Sequence, residues 1–252
     1  MATGYRAIAE MLRAAIERGD FQPGSRIPTE HELAEQYGVA RETVRRALAV
    51  LKAGGLLVSA TSQGTVVAEP PVRLSVTRYA DVTDGSRSDN HLGPWETACA
   101  QQGVPGRAEV VGVNRATADA SLAAQLDVPE GAELVHRARE MWAGDDVAQL
   151  QDSWLPAELV EGTPLAEPGK VVGGVYAAML SAGLVPATFT ESLSARLPTR
   201  EEQQRMRLGD AAPVLEVWRI TRDGSGRSLE ALRTVADARR SLFVYDDLPV
   251  RT

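Results

Sequence analysis

The sequence predicts an α+β protein built in two parts, and three observations carry that prediction. Between residues 5 and 53, apolar side chains recur every three or four positions in runs broken by glycine. Between residues 109 and 236, six β-rich segments follow one another, several across short Gly/Asp turns, with helical runs among them. The charge divides as well. Residues 1–70 hold 8 basic and 8 acidic side chains, whereas the rest of the 252 residues hold 19 against 26, and so the whole net charge of -7. Two units with different partners follow from that split.

Ile8, Leu12 and Ile16, widened by Met11 and Ala15, make the buried stripe of a first helix that Gly19 stops. Pro23-Gly24 is a turn signal. Thr29 followed by Glu32 is a capping box, so a second helix starts there, buries Leu33, Ala34 and Tyr37, and ends at Gly38. Val44, Ala47, Leu48 and Leu51 are the inner face of a third helix closed by Gly54-Gly55. Arg45 and Arg46 are left off that face, with Arg41 at the N-terminal end and Lys52 nearby. Leu56-Leu-Val-Ser and Thr65-Val-Val-Ala, joined by Ala60–Gly64, read as a hairpin. Helix, helix, turn, helix, hairpin is the order of a winged helix-turn-helix, expected over residues 1–68. In that motif the third helix enters the DNA major groove and its first residues meet base edges.

Glu69-Pro-Pro-Val-Arg reads as a stiff, extended connection within a linker at 69–78, before a second domain at 79–252. Asp81–Gly93, rich in Asp, Ser, Gly and Asn, reads as an exposed loop. Strands are expected at Glu109–Thr117, Glu133–Trp142, Val147–Leu155, Ala187–Leu197, Val214–Arg222 and Leu229–Ala236, and helices at Ala118–Leu126, Gly174–Ala182 and Thr199–Leu208. An antiparallel sheet with helices against it follows. Apolar content of 44% and charged content of 24% are ordinary for a soluble domain, and neither a membrane span nor an export leader stands out. Cys99 is the one cysteine, which fits a reducing cytoplasm; in the helix-like Trp95–Ala100 it reads as a packed thiol.

The residues Tyr5, Ile8, Leu12, Ile16, Gly19, Pro23-Gly24, Pro28-Thr29-Glu30, Glu32-Leu33-Ala34, Gly38-Val39, Arg41, Thr43-Val44-Arg45, Ala47-Leu48, Gly55-Leu56 and Gly64-Thr65 resemble the signature of the GntR family of bacterial transcription regulators. The resemblance implies that Arg41, Thr43 and Arg45 approach DNA from the third helix, with Arg46 grouped beside them. It also places His31 on the backbone and Gly64 at the wing tip in the minor groove. Arg41 and Arg45 suit bidentate contact with guanine, and Thr43 a phosphate or a thymine methyl. The alternative is a solvated helix face, with the arginines paired to residues such as Glu42. Three departures stand out: His31 in place of the usual arginine, Ala40 in place of a capping Ser or Thr, and a wing without arginine at Val58–Gln63. Fewer cationic contacts imply a shallower salt dependence.

The second half is similar to the UTRA domain of the HutC branch, whose fold resembles chorismate lyase. The resemblance rests on Leu74-Ser75, Arg78-Tyr79, Gly103, Leu126–Gly131, His136-Arg137-Ala-Arg139, Ser153–Pro156, Tyr176, Leu180, Gly183, Glu191, Asp223-Gly224, Leu229-Glu230 and Asp237. At i and i+2 on a strand, Arg137 and Arg139 leave one face, where two guanidinium forks can converge on one anion. The resemblance implies that this pair lines an effector pocket, with Gln151 and Glu230 bonding the rest of the ligand and Tyr245 closing it. Sugar phosphates and carboxylates are the implied effectors; cross-strand ion pairing is the alternative use of the arginines.

A homodimeric repressor on double-stranded operator DNA is therefore expected, with no catalytic residue, cofactor or metal. A chorismate-lyase-like enzyme fused to a DNA-binding module is the alternative. The aminotransferase-like branch needs a Schiff-base lysine, and beyond residue 70 there is only Lys170, in a Pro-Gly loop. The metal-responsive helical branch needs clustered histidines, and beyond residue 70 there are only His91 and His136.

Overall fold

The structure, a computed structural model, describes residues 4–60, 64–69, 72–75, 92–209 and 212–245. The anticipated loop at Asp81–Gly93, the motif residues Arg78 and Tyr79, the wing residues 61–63 and His91 lie, wholly or nearly so, outside the described residues.

Helices α1 (Tyr5–Glu17), α2 (Glu30–Tyr37) and α3 (Arg41–Ala53) come first, followed by the antiparallel hairpin β1 (Leu57–Ala60) and β2 (Gly64–Val67). The capping box forms as its spacing predicts: the Glu32 amide donates to the Thr29 hydroxyl at 3.3 Å, and the Thr29 amide donates to the Glu32 carboxylate at 2.6 Å. Gly38 turns the chain with φ 63°, a left-handed conformation that glycine adopts at no steric cost. Ile8, Leu12, Leu33, Val44, Leu51 and Leu57 close one core among the three helices and the hairpin. Each such side chain contributes about 1.5–3 kcal/mol of burial.

The second half is a six-stranded antiparallel sheet in the order β4-β5-β6-β9-β8-β7. Its strands are β4 (Gly106–Thr117), β5 (Glu133–Ala143), β6 (Asp146–Pro156), β7 (Pro186–Arg196), β8 (Val214–Asp223) and β9 (Ser228–Asp237). On one face pack α4 (Pro94–Ala100), the single turn α6 (Ala157–Val160) and α7 (Gly174–Ser181); Trp95 and Cys99 meet Met141, and Val175 and Met179 meet Val135 and Leu155. On the other pack α5 (Ala120–Leu126) and α8 (Arg200–Met206), which bury Leu126 with Ile220 and Met206 with Leu150 and Val235. Cys99 is fully buried, and burial pushes its thiol up to about 11, so it is the packed thiol that its helix suggests.

Two findings lie outside the sequence expectation. Within the anticipated linker, β3 (Val72–Ser75) forms a strand that pairs in parallel with β10 (Ser241–Val244). The turn between β9 and β10 also rests on the end of α3. Gly55, at φ 75°, leaves room for Arg239, whose Cγ would lie 2.9 Å from any added Cβ. Asp237 holds Arg239 there through Nε at 2.9 Å and Nη2 at 2.7 Å.

On the α8 face, Glu202 and Glu216 share Arg196 and Arg233. Burial alone would raise the Glu202 carboxyl, but hydrogen bonds from Arg196 and the Thr199 amide, with the charges of Arg196 and Arg233, bring it down to about 2. A carboxyl depressed on folding contributes stability above its unfolded pKa near 4.5 and loses it as pH falls toward 2. After allowance for solvent screening, the expected loss is about 1–2 kcal/mol. In urea melts, wild type should lose that stability between pH 5 and 2.5, and Glu202→Gln should flatten this part of the profile.

Candidate nucleic-acid interface and ligand pocket

The exposed side of α3 opens at its first residue. Arg41 and Arg45 are largely solvent-exposed, Thr43 is half-buried, and Val44 and Ala47 between them anchor the helix. Exposed acids attend the arginines: Glu42 pairs with Arg45, and Glu30 lies 3.8 Å from Arg41. The pairing offered as the alternative use of these arginines is thus present, but exposed pairs are weak and readily exchanged for phosphate or guanine. Ala40 gives α3 no side-chain cap, so its first amides keep their capacity for an anion. His31 is exposed on α2, with Nε2 3.5 Å from Glu35. Gly64 begins β2 at φ 80° beside the wing tip.

Arg46, grouped with the reading arginines, also makes a contact inside the domain. Its guanidinium lies over the Tyr5 ring, 4.5 Å from the centroid, and so braces α3 against α1. Lys52 is likewise engaged, donating to the Ser59 hydroxyl of the hairpin at 2.9 Å.

In the second half, a cavity of about 800 Å³, part of it open to solvent, lies between the sheet and the layer of α4 and α7. Arg137, Arg139, Gln151 and Glu230, the residues expected around an effector, all line it. The cross-strand register explains why. Arg137 faces Ser153 on β6, which faces Leu232 on β9; Arg139 faces Gln151, which faces Thr234; and alternate residues share a face. Trp95, Met141, Val175 and Leu232 give the wall an apolar stretch.

Two expectations fail here. The arginines do not present two forks to one anion. Arg137 is fully buried, and its terminal nitrogens donate to the carbonyls of Leu165 at 2.8 Å, Glu167 at 2.9 Å and Gly169 at 2.7 Å, with a longer contact to Pro164. Burial, and then the charge of Arg139, lowers its pKa below the ordinary guanidinium value. Arg139 donates through Nη2 to the Ser153 hydroxyl at 2.8 Å. Tyr245 does not close the cavity. Its hydroxyl donates to Glu191 at 2.8 Å on the edge strand, and burial, then Glu191, pushes it up to about 12. Glu191 in turn accepts from the buried Arg219 at 2.6 Å.

Sequence reasoning missed Glu96, and it named Tyr176 only within the UTRA resemblance and not as a cavity residue. Glu96 accepts from Lys170 at 2.7 Å and from the Ala108 amide at 3.2 Å, and these offset its burial to lower its pKa. Tyr176 shares a hydrogen bond with Thr221 at 2.9 Å, and burial, then the charge of Glu230, raises its pKa. Both carboxylate oxygens of Glu230 are buried without a hydrogen-bond partner. Among the described residues, no cluster of three metal-ligating side chains forms and no helix is long and apolar enough to cross a membrane.

Two family models match the chain: bacterial regulatory proteins of the gntR family over residues 4–67, and the UTRA domain over residues 101–240. An uncharacterized HTH-type transcriptional regulator of Streptomyces coelicolor is 30% identical over 97% of this chain and 93% of its own. The HTH-type transcriptional repressor NagR of Bacillus subtilis is 26% identical, over 96% and 93%. PhnF from Mycobacterium smegmatis matches in structure with a TM-score of 0.62 and 27% identity, covering 94% of this chain and 99% of that one. A helix-turn-helix whose charged face stands open, joined to a UTRA sheet with a polar-lined cavity, places the chain in the HutC branch of the GntR family, as a DNA-binding transcription regulator.

Proposed function

We propose that the chain is a one-component, cytoplasmic repressor that works as a homodimer and releases its operator when a small anionic effector fills the UTRA cavity. One observation carries this reading: a single chain holds an exposed, arginine-led α3 and a separate cavity whose polar residues converge. Arg41, Thr43 and Arg45 are the reading residues, with His31 and Gly64 on the backbone. Arg139, Gln151 and Glu230 hold the effector, a sugar phosphate or a carboxylate, while Arg137 shapes the wall. Two copies would set their α3 helices on half-sites roughly 34–36 Å apart.

The link between the two sites is strand β9. Glu230 and Leu232 line the cavity from it, and Asp237 at its far end holds Arg239 over Gly55 at the end of α3. A coupling of about 1–3 kcal/mol through this contact would give a 5- to 150-fold change in operator affinity. Footprinting upstream of its own gene should protect a palindrome with that spacing. Arg239→Ala should keep the footprint and lose its response to effector. Absence of saturable binding at moderate salt would overturn the regulator mechanism proposed here.

A further inference from the structure

The two edges of the six-stranded sheet are built differently. The β4 edge carries Arg107, Glu109 and Arg115 and breaks its register between Val110 and Gly112. Charges and bulges of this kind keep a further strand from adding. At the opposite edge, β7 runs from Thr188 to Ala195 in regular register with a single charge, Glu191, and Arg219 neutralises it at 2.6 Å. Residues 187–195 are exposed except for the half-buried Glu191, and no strand lies beyond them among the described residues. Phe189 and Leu193 are 37% and 50% exposed, and Leu197, one residue past the strand, is 65% exposed. By alternation these three share the face that bears Glu191. A long edge with apolar side chains and outward backbone groups is a template for another strand.

The strand that fits it best is its own copy. In a closed dimer one patch meets itself about a two-fold axis. An axis normal to the sheet sets two copies of β7 antiparallel, with facing residues on one face, so it passes through a residue and not between two. Through Glu191 it would set two carboxylates face to face, and through Ser192 it would set Glu191 against Leu193. Through Leu193 it sets Leu193 against itself, Phe189 against Leu197 and Glu191 against Ala195. Of the three registers, only this last gathers Phe189, Leu193 and Leu197 into one apolar stripe and keeps the two acids apart. On the opposite face Ser192 then meets Ser194, a pair of hydroxyls.

We infer that β7 is the seam of the homodimer: a second copy adds its own β7, antiparallel, about a two-fold through Leu193, and the two sheets become one. This deepens the homodimer reading and rests on it, but its test needs neither DNA nor effector.

Sedimentation velocity on the full chain at micromolar concentration should show a dimer. Leu193→Lys sets two ammonium groups opposite each other, on Cα atoms about 4.5–5.5 Å apart, and should raise the dissociation constant about 100-fold or more. Its circular dichroism should match wild type, because the side chain projects into solvent in each separate chain. Val111→Lys, at an exposed position of the β4 edge, should leave the dimer unchanged. Cysteines test the register without a charged variant. Leu193→Cys should join to itself under a mild oxidant, since facing positions lie within disulfide reach. Phe189→Cys and Leu197→Cys should each fail to self-join, and should join to each other when co-expressed. The native Cys99 is fully buried and does not compete. If Leu193→Lys fails to fold, the cysteine variants decide alone. A wild-type monomer overturns the seam and the homodimer reading together. A dimer in which Leu193→Cys does not join overturns the seam and leaves the homodimer reading standing. A dimer lost in Val111→Lys but kept in Leu193→Lys does the same and moves the interface to β4.

Discussion

The double variant Arg41→Ala/Arg45→Ala should lose operator binding while folding as wild type. A bidentate contact between arginine and guanine is worth about 1–3 kcal/mol of discrimination. Each single substitution removes one such contact from each half-site of a dimer, so a single variant should lose about 2–6 kcal/mol, roughly 30-fold to more than 10⁴-fold in affinity. The fold should not notice, because both side chains project into solvent and their partners Glu30 and Glu42 are exposed acids. Fluorescence anisotropy over a salt series separates the two ways of losing affinity. A lost base contact relaxes the preference at one operator position, whereas a lost phosphate contact weakens all sequences alike and lowers the salt slope by about 0.9 for each phosphate. Unchanged affinity in the double variant, with an intact footprint, would remove α3 as the reading head.

Most of the DNA-binding half was legible because local signals and global packing agree there. The box of Thr29 and Glu32, the glycine at position 38 and the spacing Val44-Ala47-Leu48-Leu51 each dictate one local feature, and together they permit one arrangement. What the spacing did not reveal is Arg46 over Tyr5, because that contact joins two helices whose packing angle no single-helix pattern records.

In the second half the six long strands and three of the helices were legible, since alternation and turn residues mark them. The four-residue strands β3 and β10 were not. They pair across some 170 residues of sequence, and so short a run has no period to detect. Strand parity put Arg137 and Arg139 on one face, and the pocket itself was implied only by the resemblance to the UTRA domain. Which way each guanidinium turns depends on the loop at 161–173, and its carbonyl directions are set by tertiary contacts such as the buried Leu165. Glu96 looked like an ordinary acid in the first turn of a helix, and only the fold brings Lys170 to it.

That same loop makes Arg137 the residue whose loss should most damage stability. Arg137→Ala removes a buried cation and leaves the carbonyls of Leu165, Glu167 and Gly169 without their donor. Orphaned buried acceptors cost about 1–3 kcal/mol each, and partial rewetting of the loop returns some of it. The net expected loss is about 3–5 kcal/mol, seen as a fall in Tm of roughly 10 °C for a unit of this size. Arg137→Met keeps most of the side-chain volume and should recover little, because the missing element is donors and not packing. Arg137→Lys should recover part, since one ammonium carries three donors but cannot spread them as the guanidinium does. Arg139→Gln should lose the effector response while sparing the 161–173 loop, since Arg139 donates to the Ser153 hydroxyl and not to that loop's carbonyls. If Arg137→Met melts with wild type, the loop does not depend on this guanidinium and Arg137 is free to meet the effector directly.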